Sequence, residues 1–242
     1  MRVIAAAAPA EASGKLRAGI EIKLGPGWKT YWRYAGDSGV PPRFRFDRSE
    51  NVADVAVLFP APHGFADEGD ESIGYKDNVI FPLRIVPRDA GKPVVLRVDL
   101  DYAICLNVCV PVTTAAELAL PGSGKEDAAL GASEARVPKA VALGEGDRLS
   151  IRAIRREDGG ARPRIVVDVA APADAKLELF AEGPTPEWAL PIPKPTAGAP
   201  DGLRRFAFDL DGLPPGASAK GASVRLTLVS GDDAIEVVTP LD

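Results

Sequence analysis

The sequence predicts an all-β protein made of two immunoglobulin-like β-sandwich domains joined by a linker. Three observations carry this. Short runs of alternating apolar and polar residues recur along the chain, turn-forming residues separate them, and one stretch near the middle carries little strand signal. The 24 glycines and 23 prolines, set against one methionine, favour many turns and short strands over long helices. A hydrophobic content of 46% over 242 residues is enough for one large core or two small ones.

The elements follow in order. Met1-Arg2-Val3-Ile4 and the alanines after it form too short an apolar segment for a secretory signal, so Met1 reads as a start residue on a trimmed mature chain. Leu16 to Leu24 alternates, and so does Trp28 to Tyr34, with Trp28, Thr30, Trp32 and Tyr34 on the core face and Tyr31 expected to face outward. Phe44 to Phe46, Val52 to Phe59, Val79 to Val86, Val94 to Ile104 and Val110 to Leu120 complete about seven strands, the density of an immunoglobulin-like sandwich. The first domain is therefore placed at 1–122. Residues 123–147, rich in Gly, Ser, Ala, Lys and Glu, form the linker, with a short helix expected near Glu126 to Leu130. A second sandwich is expected at 148–242, from runs at Leu149 to Ile154, Arg164 to Val169, Leu177 to Phe180, Leu203 to Leu210, Val224 to Ser230 and Ile235 to Val238. The proline-rich segment Gly183 to Pro200 is expected to be an extended loop anchored by Trp188. Nothing in this half points to chemistry.

Charge excludes several functions. A net charge of -5 with acidic and basic residues interleaved leaves no basic stripe for nucleic acid or an anionic membrane. No run reaches the roughly 20 apolar residues of a membrane span.

The chain has two cysteines, Cys105 and Cys109, with three residues between them. On one continuous strand they would stand roughly 13 Å apart, beyond the reach of a disulfide. A hairpin turning at Leu106-Asn107-Val108, with Asn107 in the left-handed region, would bring them face to face. Alternation places Leu96, Val98, Leu100, Tyr102 and Ile104 on one face, with Arg97, Asp99, Asp101 and Cys105 on the other, so Cys105 is expected on a polar face away from the core. On residues alone the pair remains open to three readings: a redox couple, a structural staple or a soft-metal site. Asp99 and Asp101 are expected to raise the thiol pKa and to limit reactivity to a docked partner.

Other motifs read as ordinary structure. Gly36-Asp37-Ser38-Gly39 has the form of a serine nucleophile segment, but the one histidine, His63, follows it, against the order of that arrangement. Asp67 to Glu71 lacks calcium-loop spacing and reads as a solvated turn, and His63 reads as a surface residue.

The segment Asp101-Tyr102-Ala103-Ile104-Cys105-Leu106-Asn107-Val108-Cys109-Val110-Pro111 resembles the cysteine hairpin of the DsbD amino-terminal (alpha) domain family of periplasmic thiol:disulfide interchange proteins. That family includes suppressor-of-copper-sensitivity relatives. Gly27 to Trp32, Gly36 to Gly39 and Gly74 to Pro82 are similar to further signatures of the same family, in the same order. The resemblance spans about residues 15 to 120. It implies a periplasmic immunoglobulin-like module that takes electrons from a membrane-embedded thiol reductase domain and passes them to periplasmic thioredoxin-fold proteins. It also implies that Cys109 forms the mixed disulfide and Cys105 resolves it. A cap loop over His63 to Tyr75 is implied too, with Phe65 as lid, Asp67 and Glu68 as polar supports, and Tyr75 and Tyr102 beside them. No cofactor or resident metal is implied. The chain is then a component of a thiol:disulfide oxidoreductase, and the other reading is a non-enzymatic module for Cu(I), or for a protein partner with a structural disulfide.

Overall fold

A computed structural model of the chain describes residues 1–7, 14–67, 70–158 and 162–241. It divides into two compact units. The first comprises Met1–Ala35, Gly39–Pro62 and Ile73–Val137, and the second Gly36–Ser38, His63–Ser72 and Pro138–Asp242.

Up to Leu120 the strands are β1 (Arg2–Ala5), β2 (Leu16–Lys23), β3 (Lys29–Gly36), β4 (Arg43–Arg45), β5 (Val52–Val57), β6 (His63–Asp67), β7 (Asp70–Lys76), β8 (Asn78–Pro87), β9 (Val94–Cys105) and β10 (Cys109–Leu120). One sheet runs β1-β2-β8-β5. The other runs β10-β9-β3-β7, with β4 also pairing to β9. Each strand reflects its sequence. In β9 the even-numbered residues Val94 to Tyr102 are buried and alternate with partly exposed neighbours, as period-two patterning requires. These side chains, with Ile20, Ile22, Trp32, Phe81, Leu83 and Ile85, fill the core. The rings of Phe44, Phe59 and Tyr75 pack edge-on against or around Phe81, at centroid separations of 5.3 to 6.2 Å. The single residue between β7 and β8, Asp77, has φ 63°, a conformation that short polar side chains tolerate.

The stretch expected as a linker is divided between the units. Helix α1 (Asp127–Ala135) belongs to the first, longer than the one turn expected, while the second unit resumes at Pro138. Leu130 is buried with Ile4, Ala6 and Ile80. Glu134 receives hydrogen bonds from Arg17 of β2 and Arg84 of β8 at 2.6 to 3.0 Å, which fixes the helix to that sheet.

The second unit holds β11 (Lys139–Ala140), β12 (Ser150–Glu157), β13 (Arg164–Ala170), β14 (Glu178–Glu182), β15 (Lys194–Thr196), β16 (Arg204–Asp209), β17 (Ser223–Ser230) and β18 (Asp233–Pro240). They form sheets β11-β18-β17-β14 and β12-β13-β16-β15 around a core that includes Trp188, Phe206 and Phe208. The protein is thus all-β with two immunoglobulin-like sandwiches. The arm His63–Ser72 clusters with this unit: Glu178 accepts a hydrogen bond from the Gly64 amide at 2.7 Å and lies 2.9 Å from His63 Nδ1, and Lys194 pairs with Glu71.

Candidate functional site

The cysteines close the hairpin between β9 and β10. Cys105 and Cys109 are directly opposed in the ladder and bonded to each other, with Cα atoms 4.2 Å apart. Leu106, Asn107 and Val108 make the turn. Asn107 does not adopt the left-handed conformation expected of it: among the described non-glycine residues only Asn51 and Asp77 have positive φ. The three-residue loop closes without it, with the Leu106 amide reaching the Val108 carbonyl at 3.4 Å.

The two sulfurs have unequal surroundings. Cys105 is 2% exposed, whereas Cys109 is open to solvent. Cys105 does lie on the face of β9 opposite Leu96, Val98 and Leu100, but that face is polar and open only as far as Asp101. Beyond it, Ala103 and Cys105 are buried in a small separate cluster with Tyr31 and Ala35. The cover comes from β3, which pairs with the last two residues of β9.

Tyr31 was expected to face outward. It is 2% exposed, and its hydroxyl donates to Cys105 Sγ at 2.8 Å and lies 3.1 Å from Cys109 Sγ. The reason is steric. A Cβ on Gly39 would stand 2.5 Å from Tyr31 Cδ1, and one on Gly74 would stand 2.0 Å from the Thr30 carbonyl oxygen and 2.9 Å from Tyr31 Cα. Two glycines therefore let the loop after β3 and the neighbouring strand β7 close on the tyrosine. Both belong to segments singled out in the sequence, Gly36 to Gly39 and Gly74 to Pro82, and here they have a mechanical role. Thr30 Oγ1, on the core face, bonds the Ala103 carbonyl at 2.9 Å and ties β3 to β9.

The acidic surroundings inferred from sequence are neutralised. Asp101 accepts from Arg45 at 2.5 Å and from Thr113 at 2.8 Å, and these two bonds hold its carboxyl below the usual range. Asp99 is held by Arg48 through two hydrogen bonds of 2.6 and 3.1 Å. Asp101 also stands four residues from Cys105, roughly 13 Å along the strand, where an exposed, paired charge is screened. The thiol environment is set instead by burial at Cys105 and by the Tyr31 hydroxyl.

Around the exposed sulfur the hairpin is apolar. Leu106, Val108 and Val110 are exposed, Val108 at 72%, on a tip that also carries Cys109. A cluster of exposed aliphatic side chains beside a bonded sulfur has the form of a docking surface.

The other sequence-derived candidates lie elsewhere. Tyr75 is buried, with its hydroxyl on the Pro60 carbonyl at 2.8 Å and its ring against Phe81. Tyr102 alternates with Cys105 onto the core face of β9, and its burial pushes the hydroxyl pKa up. Phe65 is half-buried in β6. Asp67 ends β6, where its side chain lies outside what is described, and Glu68 lies outside the described residues.

Residues 3–121 match the family model described as thiol:disulfide interchange protein DsbD, N-terminal. Over 99% of this chain and 91% of the other, the fold is similar to the crystal structure of the N-terminal periplasmic domain of ScsB from Proteus mirabilis, with a TM-score of 0.75 and 20% identity. The sequence has no match among curated proteins.

Proposed function

Residues 3–121 belong to the thiol:disulfide interchange protein DsbD N-terminal family, and on that premise we propose that this thiol–disulfide exchange module works in the periplasm. It passes electron pairs from a membrane-embedded thiol reductase domain to thioredoxin-fold proteins. The observation that carries the reading is the asymmetry of the bridge: Cys109 is exposed within an apolar rim, and Cys105 is buried under a phenol hydroxyl.

That asymmetry supports the roles proposed for the two cysteines. A donor thiolate can reach only the exposed sulfur, so it attacks Cys109 Sγ, the Cys105–Cys109 bond breaks and its electron pair stays on Cys105 Sγ. The donor's second thiolate then attacks its own sulfur in the mixed disulfide, leaving the donor oxidised and the pair reduced with two protons taken up. In the forward step the Cys109 thiolate attacks an acceptor disulfide and forms a mixed disulfide. Cys105 attacks Cys109 Sγ, restores the bridge and releases the acceptor as a dithiol. Cys105 Sγ carries the charge as the leaving thiolate on reduction and as the attacking thiolate on reoxidation, and the Tyr31 hydroxyl is already aimed at it. The exposed Leu106, Val108 and Val110 supply apolar contact to a partner whose reactive sulfur must approach Cys109. We keep Phe65 as the proposed lid, on the family resemblance.

A trap tests this. The Cys105→Ser chain, expressed in the periplasm, should accumulate a disulfide between Cys109 and a thioredoxin-fold protein, whereas the Cys109→Ser chain should not. Recovery of glutathione alone on Cys109 would remove the support for protein partners.

A further inference from the structure

The residue opposite Cys105 on β3 is a lysine. Lys29 pairs with Cys105 and Thr30 with Ile104, so Lys29 and Cys105 leave the sheet on the same side, with Cβ atoms about 5 Å apart. That side also carries Tyr31 and Ala103. Lys29 is only 9% exposed, an uncommon setting for a lysine, whose stem is normally buried and whose ammonium is left in water. From β3, Lys29 and Tyr31 face Cys105; from β10, Cys109 does; along β9 the nearest charged side chain is Asp101, already held by Arg45.

We propose that Lys29 is a charge-positioning residue of the exchange site, its ammonium stabilising the negative charge left on Cys105 Sγ when a thiolate attacks Cys109. A buried thiolate needs more than one neutral donor to offset its lost hydration, and a fixed cation beside it supplies the rest. The step transfers no proton: the electron pair of the broken S–S bond moves to Cys105 Sγ. This role matters for function only if the exchange reading holds, but its test needs no partner, so the two can fail separately.

The test uses the full chain with Cys109→Ser, reduced, and follows the ultraviolet absorbance of the Cys105 thiolate against pH. Lys29→Met and Lys29→Gln should each raise the midpoint by about one pH unit, and Lys29→Arg should hold it within a few tenths. With the native bridge present, the two neutral variants should react about threefold more slowly with a small dithiol at neutral pH. Midpoints unmoved in the neutral variants would overturn the proposal. So would an arginine variant displaced as far as the methionine one, because a packing role would not distinguish charge. If Lys29→Met loses its far-ultraviolet β signal, the glutamine and arginine variants decide.

Discussion

Tyr31→Phe removes one oxygen from the site and leaves the ring between Ala35, Gly39 and Ala103. The lost hydroxyl donates to Cys105 Sγ at 2.8 Å. A hydrogen bond to a charged acceptor contributes about 1.5–3 kcal/mol, and one pKa unit corresponds to about 1.4 kcal/mol. The Cys105 thiolate should therefore titrate about one to two units higher in the variant. If roughly half of that free energy is expressed while the Cys105–Cys109 bond is breaking, reduction by a dithiol slows about three- to tenfold at neutral pH. Folding stability of the oxidised protein should change little, since a bonded sulfur is a weak acceptor. The assay pairs a thiolate titration in the Cys109→Ser background with stopped-flow reduction of the native bridge. An unchanged midpoint together with an unchanged rate would refute the role given to Tyr31.

Three further perturbations separate docking, architecture and charge. Val108→Asp places a carboxylate in the apolar rim without touching either sulfur, so exchange with a thioredoxin-fold protein should weaken at least tenfold while reduction by a small dithiol stays within about twofold. Equal loss in both kinetic assays would argue against a docking rim. Gly74→Ala drives a methyl into the Thr30 carbonyl, and urea unfolding should show a loss of about 1–3 kcal/mol with slowed exchange, because β3 must shift at Tyr31; an unaltered midpoint would mean the close approach is relieved elsewhere. At Glu134 burial pushes the carboxyl up, but hydrogen bonds from Arg17 and Arg84 outweigh it and hold it below its ordinary 4.5. A carboxylate depressed in the folded state stabilises above the ordinary value and loses that contribution as pH falls through the folded one. Glu134→Gln should thus cost about 1.5–3 kcal/mol at neutral pH, with the gap to the parent closing in acid below pH 4.5; urea unfolding at the two pH values measures it, and a gap that widens in acid would reverse the assignment.

Much of this was legible in the residues. Alternation alone locates the strand from Val94, and the cysteine spacing between β-rich flanks, where a helix would also have brought the two together, points to a hairpin. What the period-two rule cannot show is whether the second face of a strand is covered. In β3 it is, so Lys29, Thr30, Tyr31 and Trp32 are all buried in succession. The cover arrives from β7 and the loop at Gly39, both distant in sequence, and only the glycines Gly39 and Gly74 hint at so close an approach. The acidic run Asp67 to Glu71, expected to be a solvated turn, lies partly outside the described residues, and its charges hide the pairing of β6 and β7 on either side. Strand β15 was hidden in the proline-rich stretch, although an edge position admits Pro195. The aspartates near the cysteines misled because sequence shows a charge but not its partner, and Arg45 and Arg48 approach from β4 and the segment after it. Tyr102 carries the opposite lesson: its parity with Leu96 and Leu100 already set it on the core face.

Whether Cys105 and Cys109 form an exchange couple or a staple is decided most directly by redox equilibrium. The oxidised chain is incubated with a reduced thioredoxin-fold protein of known potential, the mixture is acid-quenched and alkylated, and all four species are counted by mass. An exchange couple should equilibrate within minutes at a potential between about -180 and -300 mV, where it can be both filled and emptied by such partners. A bridge that stays oxidised against the most reducing of them, with a potential below about -300 mV, would be a structural staple.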